Sequence, residues 1–458
     1  MRRRTLLRSL GLAGTAGAAG TAGAHPLPTD DGSTPATTPT GGEPLGTLDL
    51  SGARELVTSP DGHTAYVATG RGVAVVDAVS PSEPRLLAEW TDLLADSADG
   101  PMRVVQDLAV ADGRLLVAGP ANPVESGAHG VVVFDVSDRR NPERVAAVEL
   151  DTRVHNCDFD GRYVYVTANG RADSPLVVVD TETGAEVGSW SLLDADDRWA
   201  NVHPALRSLH DVWVQGERAY LAYWDAGTWI LDVSDPADIS LVARVRGRDR
   251  AQLAVVDDLR TERTEPPGND HFATVDEAAE LLAVGGESWD SGGDGSGGPS
   301  GIELFDISDP TSPELLATID PPPSSDPSRG GVLTTAHNFE LTGGRCYSAW
   351  YNGGVRVHDV RDPGDPREIF RWRDASTTSF WTAQRGAGCF LASNTTALGG
   401  DGVTPGVYTF PDPAADASAT TPSTADDGVF GTAGDGFGVA AAVAAVGLGA
   451  WRLARRRE

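Results

Sequence analysis

Gly227-Thr-Trp-Ile-Leu-Asp-Val-Ser-Asp-Pro236 is a short apolar run, an aspartate, and a turn built from Ser, Asp and Pro. The pattern recurs as Val73–Asp77, Gly130–Asp138, Leu176–Asp180, Gly301–Pro310 and Gly354–Pro363, with a weaker copy at Gly406–Asp412. Seven copies of one pattern mean one supersecondary unit used seven times.

Around the quoted stretch the unit reads as four strands. His210-Asp-Val-Trp-Val214 is followed by a turn at Gln215–Arg218, then by Ala219-Tyr-Leu-Ala-Tyr223, by Gly227–Asp232, and by Ser240–Val245. Short runs rich in Val, Tyr, Trp and Leu with turn residues between them are strands. Arg54, Gln106, His155, His210, His271, His337 and Phe380 open the first strands of the seven units, at intervals of 43 to 66 residues. That is the repeat length of a propeller blade. The last unit lacks a fourth strand after Phe410, and an orphan of that type, Leu45-Gly-Thr-Leu-Asp-Leu50, stands at the front. The sequence therefore predicts an all-β chain: a seven-bladed β-propeller of four-stranded antiparallel blades, closed by the N-terminal strand pairing into the last blade.

Val73-Ala-Val-Val-Asp77, Gly130-Val-Val-Val-Phe-Asp135 and Leu176-Val-Val-Val-Asp180 resemble the motif of the LVIVD-repeat β-propellers. The resemblance covers roughly residues 45–412 and implies the fold; the family carries little assigned chemistry.

Acidic residues outnumber basic ones, 66 to 36, and every basic residue is Arg. Such an excess of carboxylate keeps proteins soluble in molar salt and resembles haloarchaeal proteins. It argues against a nucleic-acid partner. Arg2-Arg-Arg-Thr-Leu-Leu-Arg8, followed by a Gly/Ala run ending at Ala24, resembles a twin-arginine export signal over residues 1–24, with Arg3 and Arg4 as the pair. A Pro/Thr/Gly-rich linker, 25–44, precedes the propeller, 45–412. A Thr/Ser/Pro/Asp-rich stalk, 413–435, follows it. Residues 436–458 are a short apolar run ending in Arg455-Arg-Arg457, predicted to anchor the chain to a membrane or to serve as a sorting signal. The expected address is the cell surface.

Long connections all fall on one rim: Thr91–Val105, Leu193–Leu209, Arg246–Asp270 and Asp320–Ala336 between blades, with Gly119–His129 and Gly285–Ser300 within them. Loops elaborated on a rigid scaffold are where binding concentrates. One reading is a binding scaffold for a protein or small-molecule ligand at this face. Arg54, Gln106, Phe380 and the loop residue His203 are then expected at the channel mouth. The other reading is a metal-dependent enzyme, an oxidoreductase or hydrolase. His155, His210, His271 and His337 start four successive first strands, so four imidazoles converge on the channel mouth, where they suit Zn, Cu or Fe. No nucleophile elbow or phosphate loop is present. The repeated aspartates are expected to make turns. Cys157, Cys346 and Cys389, odd in number, read as buried thiols rather than a disulfide framework.

Overall fold

The computed structural model describes residues 41–293, 295–398 and 402–413. The expected export signal, the linker up to residue 40, the stalk from residue 414 and the C-terminal anchor lie outside the described residues. Among the described residues no helix is long and apolar enough to cross a membrane.

Twenty-eight strands make seven four-stranded antiparallel sheets. In six sheets the strands follow chain order from the centre outward. The seventh runs Phe380–Arg385, Cys389–Asn394, Gly406–Pro411 and then the N-terminal Gly46–Asp49. Gly46 faces Thr409 and Asp49 faces Gly406, so the orphan strand closes the wheel as expected.

Burial explains why the blades read as they do. Second and third strands, such as Thr64–Ala68 and Gly72–Asp77, are covered on both faces by neighbouring blades and are apolar throughout. Fourth strands, such as Arg85–Thr91, are largely exposed at the rim of the wheel. In six blades the pairing of third and fourth strands slips by one residue near its end, for example between Ile230 and Leu231. A bulge sharpens the twist of a strand and re-aims its side chains.

In six blades a glycine begins the third strand or immediately precedes it. At Gly227 (φ +87°) a Cβ would lie 1.9 Å from the Arg246 carbonyl oxygen, and at Gly354 (φ +88°) 2.0 Å from that of Trp372. The end of the fourth strand crosses so close that only glycine fits. The aspartates that close the third strands make turns in six of the seven copies: Asp77, Asp135, Asp180, Asp232, Asp306 and Asp359 each accept the amide two residues on. All three cysteines are free and buried.

The first strands line the channel and leave edge amides that need partners. Neighbouring blades supply them. Asp107 Oδ2 accepts from the Cys157 amide at 2.6 Å and Asp158 Oδ2 from Val214 at 2.5 Å. Glu340 Oε2 accepts from Arg385 at 2.6 Å and Gln384 Oε1 from Thr58 at 2.9 Å. These side chains stitch blade to blade around the hub.

Candidate metal centre at the channel mouth

Each of the four repeated histidines stands at the head of a first strand, and the wheel brings them together. His155 and His210 pack with ring centroids 4.4 Å apart, His210 and His271 at 4.1 Å, and His271 and His337 at 4.4 Å. All four line one channel pocket of about 240 Å³.

In three of the four, Nδ1 is fixed by a backbone carbonyl of an adjacent blade. His155 Nδ1 donates to the Ala121 oxygen at 2.8 Å, His210 Nδ1 to that of His271 at 3.1 Å, and His337 Nδ1 to that of Trp381 at 2.8 Å. A carbonyl only accepts, so the proton of each neutral ring sits on Nδ1 and Nε2 keeps its lone pair. Yet His155 Nε2 and His210 Nε2 lie 3.0 Å apart. Two lone pairs at that distance repel unless a cation lies between or beside them. Burial drives the pKa of His155 below its ordinary value and those of His210, His271 and His337 well below, which disfavours a shared proton. His271 Nδ1 is buried without a hydrogen-bond partner.

A carboxylate completes the set. Ligand atoms of His271, Glu287 and His337 all lie within 4.8 Å of one another, the one such group among the described residues. Glu287 Oε2 is 3.9 Å from His271 Nε2, while its other oxygen accepts from the Tyr351 hydroxyl at 2.6 Å. That bond orients the carboxylate in the way outer partners orient metal ligands. Burial raises the Glu287 pKa, against the pull of the Tyr351 bond.

Two aromatic residues are held in left-handed backbone beside the cluster: Trp224 (φ 39°), with its ring 5.2 Å from that of His210, and Tyr351 (φ 46°), 4.8 Å from His337. Each precedes its third-strand glycine by three residues. A bulky residue in that conformation is strained by about 1–3 kcal/mol, and such strain gathers at functional sites.

Below the histidines the next residues of the first strands form a polar floor. Asn338 Nδ2 donates to Glu55 at 2.6 Å and Asn156 Nδ2 to Asp211 at 2.7 Å. Burial, reinforced by the nearby Asp107 carboxylate, raises both Glu55 and Asp211 well above the ordinary range. Above the histidines an open basin of about 1050 Å³ reaches His155 and His210 between the long loops.

The remaining expected residues divide. Gln106 lines the channel pocket. Arg54 lies at its edge, bonded to Ala53 O and Thr395 Oγ1 at 2.8 Å and 5.9 Å from the centre of the Trp381 ring. Phe380 does not line the channel; it is fully buried among Tyr347, Phe390 and Phe410. Its strand bulges between Phe380 and Thr382, as the fifth blade does between Asp270 and Phe272. Trp381 therefore takes the place equivalent to that of His271 and packs against His337, tilted, with ring centroids 4.1 Å apart. His203 is exposed, outside the residues lining the channel and basin, and its Nδ1 caps the Pro204–Leu206 turn by accepting from Ala205. Pro204 opens that turn, whose Ala205 lines the basin while His203 itself does not.

Comparisons with known proteins bear on the fold. The LVIVD repeat family matches residues 207–246, the fourth blade. The β-propeller domain of Cps50 (Swd1) from Myceliophteria thermophila is similar at 10% identity and a TM-score of 0.53, covering 81% of this chain and 99% of that one. The WD40 β-propeller domain of Doa1 is similar at 12% identity and a TM-score of 0.48, covering 81% of this chain and 96% of that one. No curated protein matches. The chain is thus a seven-bladed β-propeller that carries an LVIVD repeat in its fourth blade, with the same strand pattern around all seven.

Proposed function

We propose that this propeller holds a transition-metal ion at its channel mouth, on His271, His337 and Glu287 with His155 and His210 beside it, and that it acts on a small molecule entering the basin above. The observation that carries the reading is the 3.0 Å contact between two Nε2 atoms whose rings have already committed their Nδ1 protons. Imidazole and carboxylate together suit Zn, Fe or Cu. The ion would supply Lewis-acid or redox chemistry; the protein's own part is to fix the rings through backbone carbonyls, orient Glu287 through Tyr351, and bury the set.

The test is thermal unfolding of chelator-treated protein with and without Zn²⁺, Fe²⁺ or Cu²⁺. An ion at one hundred times its dissociation constant stabilises a fold by about 2.7 kcal/mol. One of the three ions is expected to raise the midpoint. His271→Ala, His337→Ala and Glu287→Gln should abolish the rise, and His203→Ala should keep it. No rise with any ion would refute the centre.

A second reading is an interaction scaffold. Its support is a set of large apolar side chains exposed on the outermost strands: Leu86, Val145, Leu241 and Leu315, in blades one, two, four and five. Display at the surface of a halophile, after twin-arginine export and anchoring by residues 436–458, is part of the proposal. It rests on the sequence signals alone. Both chain ends leave the wheel at the same rim, since Gly46 pairs with Thr409 near the end of the last strand. Cell fractionation tests it: recovery of the full chain as a free cytoplasmic protein would refute it.

A further inference from the structure

The net charge of the chain is −30, yet the basin over the histidines is lined by four arginines: Arg153, Arg260, Arg263 and Arg329. Elsewhere fourteen arginines pair with carboxylates. Among the described residues none of the four basin arginines does. Arg260 reaches only the Ser291 carbonyl oxygen, at 3.1 Å, and the Arg329 guanidinium lies 5.1 Å from the centre of the Trp289 ring. In a chain so rich in acid, leaving four guanidinium groups without an ion pair in one concavity is a departure from its own pattern.

The acids of the basin form no close ion pair with them, although the Arg329 charge is near enough to pull the Glu287 pKa down against burial. Asp290 spends both oxygens on the amides of Gly293 and Gly295, and Glu287 is bonded to Tyr351 and turned toward His271. Two indoles share the basin. Trp289 is half-buried, and Trp224 is held by a bond from its Nε1 to the Arg263 carbonyl oxygen at 3.0 Å. Guanidinium groups bind carboxylate in a bidentate fork, and indole faces take flat apolar bodies.

We propose that the basin takes an aromatic organic acid, its carboxylate among Arg153, Arg260, Arg263 and Arg329 and its ring against Trp224 and Trp289. The proposal rests on the reading above, because it names the substrate class of the same mouth. Its evidence is the charge and shape of the basin alone, so the two can fail separately.

The experiment is calorimetric titration with benzoate, 4-hydroxybenzoate and cinnamate, each against its neutral amide, on metal-loaded and on chelator-treated protein. At least one acid is expected to bind roughly tenfold or more tightly than its amide, since charge-assisted hydrogen bonds are about twice as strong as neutral ones. The preference should persist without metal. Arg263→Gln and Arg329→Gln, both at exposed positions where folding is not at stake, should each cut it severalfold, and Arg140→Gln, outside the basin, should leave it intact. Acids that bind no better than their amides, failure of all six compounds to bind, or an unchanged preference in both basin variants would each overturn the proposal. Loss of acid binding only after chelation would overturn it as an arginine site and leave the metal reading standing.

Discussion

Leu50 is the side chain through which the closure of the wheel can be measured. The strand Gly46–Asp49 alternates, with Thr47 and Asp49 outward, and the chain then turns Leu50 into the wheel at 5% exposure. There it packs with Ala53, Leu56 and Val67 of the first blade and Leu391 and Val407 of the last, so one side chain joins the two ends of the ring. Leu50→Ala removes buried methyl groups and leaves a cavity at that seam, a cost of about 3 kcal/mol. At about 2.1 cal/mol/K per residue over some 370 residues, this lowers the melting midpoint by about 4 °C. Asp49→Ala, in the same strand but facing solvent, should change stability by less than about 0.5 kcal/mol. Deleting 45–50 removes the ladder to Gly406–Pro411 and the bonds from Leu45 N and Leu50 N to Thr409 O and Pro405 O. It bares a sheet edge, so the deletion should also associate. The assay is denaturant unfolding in molar salt with size-exclusion chromatography of the deletion. Equal, small effects of Leu50→Ala and Asp49→Ala, with a monomeric deletion of unchanged stability, would refute closure by this strand.

Further outcomes are open to measurement. Gly227→Ala and Gly354→Ala should each cost more than about 3 kcal/mol, because a Cβ there meets a carbonyl oxygen as well as an unfavourable φ; Gly216→Ala, at φ +61° in an open turn, should cost only about 1 kcal/mol. Phe380→Ala should destabilise the wheel by about 3–5 kcal/mol, whereas Trp381→Leu should stay within about 1 kcal/mol and weaken metal binding instead. Burial raises Asp158 and Glu340 to about 7, so between their unfolded values and pH 7 the folded state binds more protons than the unfolded chain. Stability should therefore fall as pH rises from 5 to 7 and level off above, by at most about 2.7 kcal/mol per group. Denaturant midpoints at pH 5 and pH 8 check this: Asp158→Asn with Glu340→Gln should reduce the difference, the remainder coming from the other raised carboxyls such as Glu55 and Asp211, and an unreduced one would refute the assignment.

The blade count, the closure strand and the four histidines were legible because a repeat places equivalent residues at equivalent points of a wheel. Where the repeat is broken by a single residue the reading slips. Trp381 sits one place beyond the position marked by Phe380, because the strand bulges there, and a bulge leaves no signature in an apolar stretch. Glu287, Trp224 and Tyr351 lie on second-to-third connections, whose lengths vary, and two of them reach the site only through left-handed backbone. The one available clue was an aromatic three residues before a third-strand glycine, in the fourth and sixth units alike. Asp107, Asp158 and Glu340 have no motif either. Each is an acid inside an apolar strand, which in a ring of blades finds its partner on the next blade's backbone. His203 lies outside the basin although Ala205 lines it, because its imidazole caps the Pro204–Leu206 turn.

Elemental analysis of the folded protein, purified without chelator from a high-salt host, addresses the centre most directly. The account predicts about one transition ion per chain, falling to near zero in His271→Ala and His337→Ala while the blades remain folded. Wild-type protein that is folded, free of metal and unable to take up Zn²⁺, Fe²⁺ or Cu²⁺ would contradict it.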